Sequence, residues 1–134
     1  MSEANLEIAR RVLDAFGRRE VVAVLELLDP KVVFFAPTAI AAHHPTTYRG
    51  HEGVRLYFDH VARIWEDLEV EPHDFKGRGE FVVALGKVRG RRKDDDETVE
   101  DDVAWAWKVK DGKVIWGRVY TNPADALADA GLEA

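Results

Sequence analysis

An α+β fold, with helices gathered against one face of a curved and mostly antiparallel sheet, is what the order of patterns along this chain predicts. Two helical repeats come first, then a short strand and a long helical repeat, and the rest of the chain reads as a meander of strands. Within that meander, the run Asp101 to Thr121 sorts its residues into one apolar face and one outer face.

Leu6, Ala9, Leu13 and Phe16, reinforced by Val12, recur at helical spacing, and Gly17 is placed to end that helix. A second helix carries Val21, Val24, Leu25 and Leu28 on one side and stops at Asp29-Pro30, because the residue before a proline is pushed out of the helical region. Val32 to Ala36 is short and β-branched, so it predicts a strand, which Pro37 terminates, and Thr38 to Gly50 reads as a loop. From His51 to Leu68 apolar residues repeat at Val54, Phe58, Val61, Trp65 and Leu68, with Tyr57 and Ile64 flanking the stripe. Val70 to Phe75 is an edge-strand candidate, since Pro72 has no N–H to donate to a ladder. Phe81 to Val88 is a strand and Gly90 to Glu97 a charged turn. At the end Asn122, Pro123, Asp125 and Gly131 are placed to cap, start and close a last short helix.

For the hairpin, Lys110-Asp111-Gly112 reads as a three-residue loop with Gly112 in the left-handed conformation, pairing Val109 with Lys113. Trp107 then faces Ile115, Trp105 faces Gly117, Val103 faces Val119 and Asp101 faces Thr121, all on one side. A two-residue Asp111-Gly112 loop is the competing choice, but it sets Trp105 across from Arg118 and scatters the apolar set over both faces. The outer side carries Trp116, Arg118 and Tyr120 opposite Ala106, Ala104 and Asp102, which predicts either a flat homodimer surface or a bed for the C-terminal helix.

The chain has 134 residues, 46% hydrophobic and 33% charged, and contains no cysteine, which excludes disulfides and thiol chemistry and predicts one domain spanning 1–134. Its net charge of −6 disfavours nucleic acid, and the basic run Arg89 to Lys93 is followed at once by Asp94 to Glu97. Met1 to Asn5 shows neither a basic start nor an apolar run, and no segment approaches the ~18 apolar residues of a membrane span. A cytoplasmic protein with no membrane partner is expected.

The segments Asn5-Leu6-Glu7-Ile8-Ala9-Arg10, Leu27 to Val32, Tyr48-Arg49-Gly50-His51-Glu52-Gly53-Val54, Asp111 to Val114 and Arg118-Val119-Tyr120 resemble the SnoaL-like branch of the nuclear transport factor 2-like superfamily. That group shares a cone fold with ketosteroid isomerases and polyketide cyclases. The resemblance implies a cone opening between the long helix and the sheet, and frequently a homodimer. It also implies that the isomerase positions for the proton-shuttling carboxylate, the oxyanion tyrosine and the protonated carboxylic acid fall on Ala36, Val12 and Trp105. None of these can move a proton, which argues against ketosteroid isomerisation by that route.

Asp101 is the sharpest catalytic candidate, turned toward the cavity beside Val103, Trp105 and Thr121; the competing reading is that Glu100 to Asp102 is a solvated strand end. His44, next to His43 on the long loop, is a second proton carrier, or else one of an exposed pair. Phe34, Tyr48, Tyr57, Val61, Trp65, Trp105, Trp107, Gly117 and Val119 are expected to line the cavity, with Gly117 leaving room opposite Trp105. His43, His44 and His51 lack metal-site spacing, so no metal or cofactor is expected. The expected function is binding or converting a small hydrophobic carbonyl-bearing molecule by cofactor-free acid/base chemistry of the cyclase or isomerase type. The alternative is a non-catalytic ligand-binding or dimerisation module of the same fold.

Overall fold

Helix α1, Glu3–Gly17, buries Ala9, Val12 and Leu13 on the side its apolar spacing predicts, and Glu7 and Arg11 pair on the other at 3.3 Å. It ends at Gly17 as expected, although the residue that turns the chain in the left-handed region is Arg19, with φ 57°. A computed structural model describes residues 3–36, 46–94 and 96–132. Helix α2, Val21–Leu27, packs on α1 and gives way directly to strand β1, Leu28–Ala36. The strand therefore starts four residues earlier than its β-branched run suggests, with an irregularity between Leu28 and Val33 that accommodates Pro30.

Strand β2, Thr46–Arg49, lies inside the segment expected to be loop, because it adds to β1 in an antiparallel register that only the tertiary fold supplies. Helix α3, Gly50–Ile64, buries Val54 and Phe58. It is shorter than its apolar stripe: Trp65 begins strand β3, Trp65–Arg78, which replaces both the last turn of the expected helix and the short edge strand. β3 pairs along its whole length with β4, Phe81–Arg92, so the charged turn begins at Lys93 and not at Gly90. β5, Thr98–Lys110, β6, Lys113–Tyr120, and helix α4, Pro123–Asp129, complete the chain. The Asn122 side chain accepts a 3.1 Å hydrogen bond from Ala124 N–H, the cap its sequence predicts.

The six strands lie in the order β2-β1-β6-β5-β4-β3, antiparallel except where β1 runs parallel to β6. This is the curved, mostly antiparallel sheet anticipated above. Pro72 sits on the edge strand β3 beside a register shift between Pro72 and Asp74, the kind of position at which a sheet tolerates a residue without an N–H.

The β5–β6 hairpin corrects the expected loop. Lys110 pairs with Lys113, so the loop is the two-residue Asp111-Gly112, with φ 51° and 79°. Two left-handed central residues give the hairpin turn whose twist matches that of the strands. The scatter of apolar residues that this loop would produce is avoided by a bulge: Val109 pairs with Val114 but Lys108 with Trp116, leaving Ile115 as an extra residue on β6. Trp107 thus faces Gly117 and Trp105 faces Val119, not Ile115 and Gly117. Outside, Trp116, Arg118 and Tyr120 face Lys108, Ala106 and Ala104.

Two apolar layers result. The inner one, between the sheet and α1 to α3, contains Phe34, Tyr48, Phe58, Trp105 and Trp107. The outer one joins Ala104, Ala106 and Tyr120 to Ala126, Leu127 and Ala130 of α4. The Tyr120 hydroxyl donates to Asp129 at 2.8 Å, so its part of the outer face is the bed of the C-terminal helix. Trp116 packs between Phe35 and Phe81, at 6.2 and 6.1 Å between ring centroids. The basic run on β4 is paired across strands: Arg89 with Glu100 at 2.8 Å, and Arg91 with Asp96 at 2.6 Å and Asp67 at 3.1 Å. No helix among the described residues is long and apolar enough to cross a membrane.

Candidate functional site

The inward face of the β5–β6 hairpin and the facing side of α3 enclose two adjoining hollows. The inner one, about 60 Å³, is walled by rings, among them Phe16, Phe34, Tyr57, Phe58, Trp105 and Trp107. The outer one, about 450 Å³, opens between α3 and the far ends of β4 and β5. Tyr57, Val61, Leu68, Val88 and Val119 belong to both, which makes them one tapering cavity.

The rings of the wall hold each other in place. Phe34 stacks on Trp107 at 5.9 Å and 10°, meets Tyr57 edge-on at 4.9 Å, and Phe16 stacks on Phe58 at 5.1 Å. Gly117 lies beneath this group. A Cβ there would stand 2.5 Å from the edge of the Trp107 indole, so the space that glycine leaves is filled by Trp107 and does not line the cavity. This corrects the expectation of room opposite Trp105.

The polar groups gather at the mouth: His60, Arg92, Asp101, Asp102 and Thr121, with Trp65 beside them. Asp101 is exposed and among the described residues has no hydrogen-bond or ion-pair partner. His43 and His44 lie outside the described residues. Tyr48 does not line the cavity; it is 1% exposed behind the wall, and its hydroxyl sits 2.8 Å from His60 Nδ1. Val12, Ala36 and Trp105 are all buried, so no proton-transfer group occupies any of the three isomerase positions. Among the described residues no three His, Asp or Glu side chains come together as a metal site would require.

His60 is the residue that reading the sequence missed. It lies three positions after Tyr57 and four before Ile64, so the helical period that marked those two as flanking the apolar stripe marks it as well. Its pairing with Tyr48 joins α3 to β2, a strand hidden inside the expected loop.

Burial pushes the Tyr57 hydroxyl well above the ordinary tyrosine range, and the neighbouring Tyr48 adds to this. Tyr120 is raised by burial first and then by its bond to Asp129, while burial raises Tyr48 against an opposing hydrogen bond from Thr46. These are the three tyrosines of the chain. Below their ordinary value of 10.0 both folded and unfolded chains keep the phenolic protons. Above it only the unfolded chain releases them, so stability falls as pH rises. The urea midpoint is therefore expected to drop between about pH 9 and about pH 11, and to drop less in Tyr57→Phe. An equal drop in the variant would mean that the Tyr57 hydroxyl is open to water.

A curved six-stranded sheet with α1 to α3 over one face and a cavity between them is the fold of NTF2-like proteins. Within it, the SnoaL-like domain family matches residues 9–116, and the chain belongs to that family. No curated protein matches it in sequence. Among solved structures, it is similar to an NTF2-like protein of unknown function from Burkholderia pseudomallei, at TM-score 0.80 and 24% identity over 97% of this chain and 98% of that one. TerC co-crystallized with polyporic acid matches at TM-score 0.78 and 21% identity, covering 95% and 97%. A protein from Jannaschia provisionally named a SnoaL-like polyketide cyclase matches at 0.76 and 16%, covering 98% and 94%.

Proposed function

We propose that this chain holds one small, flat, hydrophobic molecule carrying a carbonyl oxygen, its apolar body against the aromatic wall and its oxygen at the polar mouth. The observation that carries this reading is the cavity itself, walled within mostly by rings and aliphatic side chains, with Arg19 as the one charged residue of the inner hollow, and polar around its opening. Likeness to the TerC structure with polyporic acid, and to the Jannaschia protein, supports a small-molecule role. No cofactor is required.

Binding is favoured over turnover, because Asp101 is exposed and has no partner among the described residues, and the isomerase positions are apolar. Conversion by acid/base chemistry is the second reading, and it rests on His60 and Asp101 facing the same opening. If it holds, the protein speeds deuterium exchange beside the carbonyl of a bound ketone, and Asp101→Asn abolishes that gain.

The cavity is tested with the dye anilinonaphthalene sulfonate and a Val61→Trp variant, which puts an indole where both hollows meet. Saturable binding is expected, weakened at least about tenfold in the variant, or about 1.4 kcal/mol. Equal binding by a folded variant would place the dye elsewhere and remove the support for an occupied cavity.

A further inference from the structure

We infer that His60 is the residue that selects the bound molecule, donating a hydrogen bond from Nε2 to an acceptor oxygen on the guest, and that Tyr48 is the positioning residue that sets it to donate. This rests on the cavity reading above and names the group that makes the cavity selective.

His60 stands on the face of α3 that also carries Tyr57, Val61 and Ile64 to the mouth. One ring nitrogen is already engaged, since Nδ1 lies 2.8 Å from the Tyr48 hydroxyl, with the two rings edge to face at 5.7 Å and 62°. Tyr48 cannot swing away, being 1% exposed and packed against Phe34 and Tyr57 at 6.4 and 5.3 Å. The other nitrogen, Nε2, has no partner among the described residues, although Arg92, Asp101 and Asp102 line the same opening.

The direction of the hydrogen bonds decides what Nε2 offers. A phenol O–H is a stronger acid than the N–H of a neutral imidazole, and a bare imidazole nitrogen is a better acceptor than a phenol oxygen. Across the 2.8 Å contact the Tyr48 hydroxyl therefore donates and His60 Nδ1 accepts. A neutral imidazole that accepts at Nδ1 carries its own hydrogen at Nε2. The Tyr48–His60 pair therefore ends in an N–H donor at the mouth of the cavity. A donor so placed favours a ketone, quinone or ester oxygen over a hydrocarbon of the same shape, which offers it no acceptor; Arg92 and Thr121 are the other donors at this opening. A purely structural His60, present only to satisfy the Tyr48 hydroxyl, would be indifferent to that oxygen.

Tetralone and tetralin share one bicyclic skeleton and differ by the carbonyl, so the ratio of their dissociation constants isolates the donor. By calorimetric titration, His60→Phe is expected to shift that ratio against tetralone by about three- to tenfold, the worth of one hydrogen bond. Tyr48→Phe is expected to produce a smaller shift in the same direction. Nitrogen-15 spectra of the unmodified protein give a second measurement that needs no variant, with hydrogen on Nε2 expected and Nδ1 bare. Binding of both probes with an unchanged ratio, or a spectrum with the hydrogen on Nδ1, would overturn this inference and leave the cavity reading standing. Binding of neither would overturn both.

Discussion

Replacing Trp107 with alanine is expected to lower the unfolding free energy by about 3–5 kcal/mol, the range for removing a large aromatic side chain from a packed interior. The indole is 1% exposed and stacks on Phe34, with Phe16 also 5.9 Å away. Its ring edge fills the space over Gly117, so no neighbour can relax into the gap without moving a strand. Against a total stability of about 5–15 kcal/mol for an ordinary domain, a loss of this size leaves little margin. Trp107→Phe is the informative partner. Trp107 Nε1 is buried with no hydrogen-bond partner among the described residues, and leaving such a donor unpaired costs about 1–3 kcal/mol. Phenylalanine keeps a ring on Phe34 and removes the unpaired donor, so it is expected to lose less than half of what alanine loses. Urea unfolding measures both; an alanine variant within about 1 kcal/mol of the parent would show that the indole is not a packed part of the wall.

The second large effect is expected at Gly86, where even one methyl group has nowhere to go. A Cβ there would overlap the Glu71 carbonyl oxygen and stand 2.7 Å from Pro72 Cα, and these are backbone atoms, not the flexible end of a side chain. Gly86 pairs with Pro72 on the edge strand, and the register slips by one residue immediately after, between Pro72 and Asp74. The strand bends toward its partner there, and glycine lets it approach. Gly86→Ala is expected to cost about 3 kcal/mol, at the upper end for overpacking. Because β3 and β4 supply Leu68, Val70 and Val88 to the cavity, the variant is also expected to bind the dye less well. Hydrogen exchange localises the damage: faster exchange in β3 with α4 unaffected is the expected pattern, and uniform loosening would contradict it.

The hairpin shows how a face can be read correctly through a wrong register. The three-residue loop expected from Lys110-Asp111-Gly112 does not form, and neither does the simple two-residue register weighed against it. Yet Trp105 and Trp107 point inward, as the apolar pattern required. The observed pairing differs from the expected one by two residues along β6, and a shift of two returns every side chain to its own face. Alternation marks the face, while loop length and the Ile115 bulge together set the register. Only the first of these is written in residue types.

The site divides along the same line. Tyr57, Val61, Trp105, Trp107 and Val119 line the hollow between α3 and the hairpin, while Trp65 borders its mouth from β3 and not from the expected helix. Tyr48 belonged to the site for a different reason than expected, as the anchor of His60 and not as a lining ring. Gly117 makes room for the Trp107 indole.

What this chain's residues determined alone was the order of the helices and of five of the six strands, the caps at α4, the inward face of the tryptophans and the absence of acid/base groups at three positions. Each depends on the periodicity, conformational preference or chemistry of residues close together along the chain. Only the tertiary structure decided that Trp65 leaves the helix for β3, that Thr46–Arg49 becomes a strand, and that Tyr48 meets His60 across the helix–sheet junction. In each of these, a partner distant in sequence offers hydrogen bonds or burial that outweigh a local preference of a few tenths to about 1 kcal/mol.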